Sequence, residues 1–230
     1  MKTLSDGRLL AAASFVRPGA LLADIGTDHA YLPLHLLQEG RIRRAIAADI
    51  GEGPLSRARA HIAASGYAGQ VETVLTNGLQ GLDDRGLTDI AICGMGGELI
   101  VDILSAAPFV RDGSIRLILQ PMTRAATLRR YLAKEGFAIL AERPCRAAGR
   151  VYNCLCATYD GICRTLSPAE AELGSPACES EEERACFAEL LSRKIDALRA
   201  KIAARATAAI TDEGDAALLA ELLQLQQTYR

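Results

Sequence analysis

The chain lacks the features that would place it at once in a familiar class. No run approaches the ~20 apolar residues of a membrane span, although half of the 230 residues are apolar. The opening Met1-Lys2-Thr3-Leu4-Ser5-Asp6 has no apolar core of the kind that marks a secretory signal, so a cytoplasmic protein is expected. The seven cysteines are an odd number without a C-x-x-C pair, which indicates neither a disulfide framework nor a zinc site, and no metal is expected. Net charge is −2, with no overall excess of the basic residues that advertise a nucleic-acid binder. No G-x-G-x-x-G follows a strand, which argues against a nicotinamide oxidoreductase.

What is present centres on Leu21 to Pro33, reading Leu-Leu-Ala-Asp-Ile-Gly-Thr-Asp-His-Ala-Tyr-Leu-Pro. A short apolar run suits a strand buried on both faces. It ends in Asp24, a glycine turn at Gly26 follows, and a helical pattern then sets Tyr31, Leu34 and Leu37 on one side. Strand, acid, glycine turn and helix make a nucleotide-type pocket at the carboxyl end of a parallel sheet. An acid before a single glycine suits S-adenosylmethionine (SAM), which has no phosphate to cradle but carries an ammonium, a sulfonium and a ribose.

Along the chain, Leu9 to Val16 reads as a helix before Pro18-Gly19. Arg44 to Asp49 is a second buried strand ending in an acid, 25 residues beyond Asp24, where a carboxylate reaches ribose hydroxyls. Gly53-Pro54 starts a helix to about Ser65. Further strands are expected at Val71 to Thr76, closed by Asn77-Gly78, at Asp89 to Cys93, and at Ile115 to Gln120, where Pro121 interrupts. Helices are expected at Glu98 to Ser105 and Thr123 to Glu135. Phe137 to Arg143 and Val151 to Tyr159 make two final strands joined across Gly149; Cys154 and Cys156 share a face there and suit core packing. Alternating strands and helices predict an α/β, Rossmann-like doubly wound sheet, and the last two strands an antiparallel edge. Asp24, Asp49, Asn77, Gly94 and Gln120 then converge at one rim.

Residues 1–160 form the expected sheet domain and 161–230 a linker with a helical hairpin. The first part holds 18 Lys/Arg against 16 Asp/Glu, the second 8 against 12. Leu166 to Ser180 reads as a linker. From about Glu181, Phe187, Leu191, Ile195, Leu198, Ile202, Ala206 and Ala209 recur with coiled-coil spacing. Thr211 to Asp215 breaks the seam, and Leu218, Leu222, Leu225 and Tyr229 resume it, which predicts an antiparallel pair of helices. Arg193, Lys194, Arg199, Lys201 and Arg205 form a basic run inside this acidic part, readable as a solvated helix face or as a contact for RNA.

Several blocks resemble the bacterial tRNA adenine-N1 methyltransferases that modify adenine-22. Asp24-Ile-Gly-Thr-Asp-His-Ala-Tyr-Leu-Pro33 is similar to that family's first motif, and Gly94-Met-Gly-Gly97 and Leu117-Ile-Leu-Gln-Pro121 to two others. Leu4-Ser5 with Arg8-Leu9 resembles its N-terminal start. The sequence departs from the family at Asn77, where an acid is usual, and at Met122, where asparagine is usual.

The resemblance implies a class I SAM methyltransferase whose partner is tRNA; a monomer or weak homo-oligomer is expected. It implies SAM contacts from Arg8, Asp24, Gly26, Thr27, His29, Asp49, Ile50, Asn77, Gly78 and Gly94. The chemistry of the turn assigns catalytic duties to Asp28, with Tyr31, Met95 and Gln120 beside it. The basic run assigns tRNA contacts to Lys194, Arg199, Lys201 and Arg205, against a hairpin that only pairs two protomers. Each has a plainer alternative: Asp28 as a helix cap, Tyr31 as core, Arg8 as a surface arginine. Transfer to a protein or small molecule, and a SAM-binding scaffold without catalysis, are the competing functions.

Overall fold

The computed structural model describes residues 4–207 and 213–228. Helix α1 (Gly7–Phe15) precedes β1 (Leu21–Ile25), α2 (Tyr31–Gln38), β2 (Arg44–Asp49), α3 (Glu52–Ser65) and β3 (Val71–Leu75). Then come β4 (Asp89–Gly96), α4 (Gly97–Ser105), β5 (Arg116–Thr123), α5 (Ala125–Lys134), β6 (Phe137–Ala147) and β7 (Arg150–Tyr159). Helices α6 (Pro168–Leu173), α7 (Glu181–Thr207) and α8 (Glu213–Thr228) complete the chain.

The seven strands run in the order β3-β2-β1-β4-β5-β7-β6. The first five are parallel, and β7 is antiparallel to both β5 and β6. The apolar runs of β1, β2 and β4 are buried because helices cover both faces, leaving one core on each side of the sheet. Cys154 and Cys156 are buried, as a shared inward face requires. Ala148 and Gly149 both have positive φ, the conformation of a tight two-residue turn that matches strand twist.

Three details differ from the sequence reading. Strand β4 does not stop at Cys93 but bulges and runs to Gly96. Strand β5 passes through Pro121, which sits opposite Met95, because β7 pairs with β5 only as far as Leu119. Pro121 therefore borders no strand on the side where its missing N–H would matter. The stretch from Leu166 to Ser180 is not all linker: Ser167 and Glu170 form a reciprocal cap that starts α6.

Helices α7 and α8 run antiparallel, since Lys201 meets Asp215 near the turn while Phe187 shares a wall with Leu225 and Thr228. Phe187, Leu191, Ile195 and Leu198 are buried against Leu218 and Leu222, Ile202 is half-buried, and Ala206 is exposed. Glu213 already belongs to α8, while Ala209 and Tyr229 of the expected seam and Thr211 of the expected break lie outside the described residues. No helix among the described residues is long and apolar enough to cross a membrane.

Candidate functional site

The glycine turn after β1 builds the site. Gly26 has φ +76°, and a side chain there would run into the Met95 methyl 2.1 Å away. The amides of Gly26 and Thr27 both donate to the Ala48 carbonyl of β2, at 2.8 and 3.0 Å, which locks the turn to the neighbouring strand end. A cavity of about 260 Å³ opens beside it. Asp24, Gly26, Thr27, Asp28, His29 and Tyr31 line it from the turn, Cys93, Gly94 and Gln120 from β4 and β5, and Asp6, Arg8 and Leu9 from α1.

Asp24 lies at the bottom, 7% exposed. Burial pushes its carboxyl up to about 6, against a hydrogen bond from Thr27 that lowers it and a repulsion from Asp49 that raises it further. Burial likewise pushes the neighbouring Cys93 thiol up, helped by the charge of Asp24, so it is not poised as a nucleophile. Gln120 is fully buried; its Oε1 accepts from Gly94 N at 3.1 Å and its Nε2 donates to the Pro121 carbonyl at 3.0 Å. Both ends of that amide hold the tips of β4 and β5 in place.

On the α1 side, Asp6 caps the helix and accepts from the Arg8 amide at 2.9 Å and from its guanidinium at 2.6 and 3.1 Å. That hydrogen bond holds the Asp6 carboxyl below the usual range and raises Arg8, each against a desolvation cost. Arg8 Nη1 also donates to the Met122 sulfur at 3.0 Å and its guanidinium lies over the Tyr152 ring, 5.6 Å from the centroid. Arg8 is thus no loose surface arginine but a fixed wall of the cavity.

At the mouth, Asp28 does not cap α2, whose first position follows a left-handed Ala30 with no side-chain cap. Its Oδ1 accepts from Arg57 Nε at 2.9 Å and from Arg57 Nη2, and its Oδ2 faces His29 Nε2 at 3.4 Å. Tyr31 is not core either: it begins α2 and is 45% exposed, whereas Leu34 and Leu37 of the same helix are buried.

The expected rim is divided. Asp49 accepts from Gly51 N at 2.7 Å, so one of its oxygens holds the start of α3, and Ile50 beside it is 70% exposed. Asn77 lines a second hollow of about 290 Å³ with Leu79, Gln80, Leu99 and Asp102, and the Ile103 side chain packs 3.1 Å from where a Gly78 side chain would begin. Met95 lies over Gly26 rather than in the first cavity, because the bulge in β4 turns it toward the core.

On α7, Lys194 pairs with Glu172 at 2.6 Å, and Lys201 and Arg205 both pair with Asp215, at 2.8 and 2.6 Å. Arg193 pairs with Glu189 at 2.7 Å, while Arg199 is exposed with no ion pair among the described residues. The sequence reading missed Asp6, Arg57 and His61. Arg57 and His61 are four apart in α3 and so share a helix face directly after the Asp49 strand end, a pattern that could have marked them.

Larger hollows of about 340 and 560 Å³ flank α6, but they are lined by none of the carboxyl ends of the parallel strands. No group of three or more His, Cys, Asp or Glu among the described residues is arranged to hold a metal ion.

Comparison with known proteins bears on this geometry. Residues 5–155 match the family model described as a methyltransferase domain. The chain is 36% identical over 162 residues to the tRNA (adenine(22)-N(1))-methyltransferase of Bacillus subtilis (strain 168), spanning 67% of this chain and 68% of that relative. It resembles the crystal structure of the B. subtilis m1A22 tRNA methyltransferase TrmK with a TM-score of 0.79 at 30% identity, over 99% of this chain and 98% of that one. A Streptococcus pneumoniae structure in complex with S-adenosyl-L-methionine gives 0.77 at 32% identity, over 92% and 98%.

Proposed function

The chain belongs to the tRNA (adenine(22)-N1)-methyltransferase family, and on that premise we propose that it transfers a methyl group from SAM to N1 of adenine-22 in tRNA. The observation that carries this reading is the cavity at the Gly26 turn, with a buried carboxylate below and a second carboxylate at its mouth.

The residues present fit SAM. A buried Asp24 whose hydrogen bond comes from one hydroxyl is set to take a cation such as an ammonium, which would relieve the burial that raises its pKa. Asp49 ends β2 where a carboxylate reaches ribose hydroxyls, with Ile50 beside it as an apolar surface for a base. Asn77 and Gly78 stand at the end of β3, and the Asn77 amide oxygen can accept from an exocyclic amine. Arg8 offers a guanidinium to a carboxylate, with Asp6 as its counter-ion. When bound, SAM supplies a methyl group on a sulfonium, whose positive charge passes to the methylated adenine.

Adenine N1 lies on the Watson–Crick edge, so the nucleotide must leave its stack to reach the cavity. N1 already has a free lone pair at neutral pH, and the reaction asks for alignment and for stabilisation of a cation rather than for a general base. Asp28 suits that role, because its carboxylate at the mouth can accept from the adenine N6 amine and face the developing charge. Tyr31 and His29 supply π surface beside it. Gln120 and Gly94 shape the floor, and Met95 supports the turn through Gly26.

Asp28→Ala is expected to lose turnover on the order of a hundredfold with little change in SAM affinity, the scale of an electrostatic group aimed at developing charge. Titration calorimetry with SAM alongside single-turnover rates decides the matter. Equal losses in both would make Asp28 a cofactor ligand instead.

Residues 1–160 form the SAM-binding unit and 161–230 the tRNA-selecting unit, in a chain that works as a monomer or weak homo-oligomer. Lys194, Lys201 and Arg205 have intramolecular partners, so Arg199 is the member of the basic run best placed to meet a phosphate. Their carboxylate partners are sheltered, Asp215 buried and Glu172 half-buried, so these three cations are held to the fold more firmly than surface pairs would be. Arg199→Gln should reduce the salt slope of tRNA binding by about one counter-ion. A slope equal to that of the wild type would remove the α7 face from the RNA interface.

A further inference from the structure

Behind the mouth of the cavity, α3 presents two side chains that do not line it but touch residues that do. Arg57 holds the Asp28 carboxylate, its Nε 2.9 Å from Oδ1. His61 Nδ1 lies 2.7 Å from the His29 carbonyl oxygen, and its ring meets Tyr31 edge-on with centroids 5.1 Å apart. His29 stacks on Tyr31, also at 5.1 Å and with an interplanar angle of 27°. The three rings form one cluster whose central Tyr31 remains exposed, which is how proteins offer a stacking surface to an unpaired base.

We propose that Arg57 and His61 are positioning residues for the methyl acceptor. Arg57 aims the Asp28 carboxylate, and His61 fixes the Tyr31 ring on which the extruded adenine stacks. The inference rests on the acceptor site assigned above. Exposed ion pairs add little to stability, so the two-pronged grip of Arg57 on Asp28 is better explained by orientation than by folding. A lysine cannot reproduce that grip, because it has a single ammonium in place of the planar fork. The bond from His61 to the His29 carbonyl fixes the imidazole beside the Tyr31 ring, and so limits which way Tyr31 can turn.

The test uses the full chain, SAM, tRNA, and tRNA carrying 2-aminopurine at the target position as a stacking probe. Arg57→Ala should lower kcat about tenfold while KM for tRNA and SAM affinity stay within about twofold, and Arg57→Lys should recover only part of the loss. His61→Ala should raise KM for tRNA about tenfold and relieve the quenching of 2-aminopurine, whereas His61→Phe, which keeps a ring against Tyr31 but loses the bond to the His29 carbonyl, should retain only part of the quenching. Wild-type kcat, KM and quenching in both alanine variants would overturn the proposal, as would an equal loss of SAM affinity. If the wild-type protein itself methylates no tRNA, the assigned reaction fails, and the quenching series still reports separately whether this cluster takes a base.

Discussion

Arg129→Ala is expected to destabilise the folded chain by about 3–5 kcal/mol, the scale for stripping one partner from a buried ion pair. Arg129 is 1% exposed and lies against Glu142, with Nε–Oε1 at 2.9 Å and Nη2–Oε2 at 2.6 Å. Its remaining donors go to the carbonyls of Ala171, Glu172 and Leu173, all at 3.2 Å, at the negative end of α6. Asn153 Nδ2 joins the same network through Glu142 and Leu173. Gly174 must be glycine here, since a side chain would meet the Glu142 oxygens at 2.2 Å.

The network fastens α6 to the sheet, and α6 in turn holds the hairpin, through Glu172 to Lys194 and through the Ala169 amide to Glu221. Urea unfolding measures the loss. The double variant Arg129→Met with Glu142→Leu should recover part of it, because no uncompensated charge then remains buried. A loss below about 1 kcal/mol in the single variant would show that water reaches the Glu142 carboxylate.

Asp24→Asn should abolish measurable SAM binding, a loss of at least about a hundredfold, while making the free protein more stable above pH 6. Asp24 is raised from 3.8 to about 6, chiefly by burial, so the folded state holds its proton more tightly than the unfolded chain. Stability from this group is therefore fully present below pH 3.8, falls as pH rises to about 6, and is flat beyond. At 1.36 kcal/mol per unit the decline amounts to about 3 kcal/mol, an upper scale that asparagine removes. SAM affinity in the wild type should weaken below about pH 6 as Asp24 takes up its proton. Melting curves from pH 4.5 to 8 and SAM titrations on both proteins test this. Wild-type SAM affinity in the variant would exclude Asp24 from the cofactor site.

The sheet was legible because its strands carry their own signals. Arg44 to Asp49 is short, apolar from Ala45 to Ala48 and closed by an acid, and β2 has those same bounds. The Gly26 turn was legible for the same local reason, a glycine between a buried strand and a helix. What escaped depends on neighbours distant in sequence. Pro121 breaks a strand only where a partner needs its N–H, and β7 has already parted from β5 there. The Ser167 to Glu170 cap could have been read, but six residues hold as a helix only with Arg129 at its carbonyls. Likewise, the basic run looked available to RNA because Glu172 and Asp215 are brought to it by folding.

The central claim is methyl transfer to one adenine of tRNA, and the direct measurement is incubation of the purified chain with labelled SAM and unmodified tRNA, followed by primer extension. N1 methylation blocks Watson–Crick pairing, so the account predicts label in tRNA and a polymerase stop set by adenine-22, absent without SAM and strongly weakened with Asp28→Ala. Label transferred to protein or a small molecule without RNA, or SAM bound tightly with no stop in any tRNA, would contradict it.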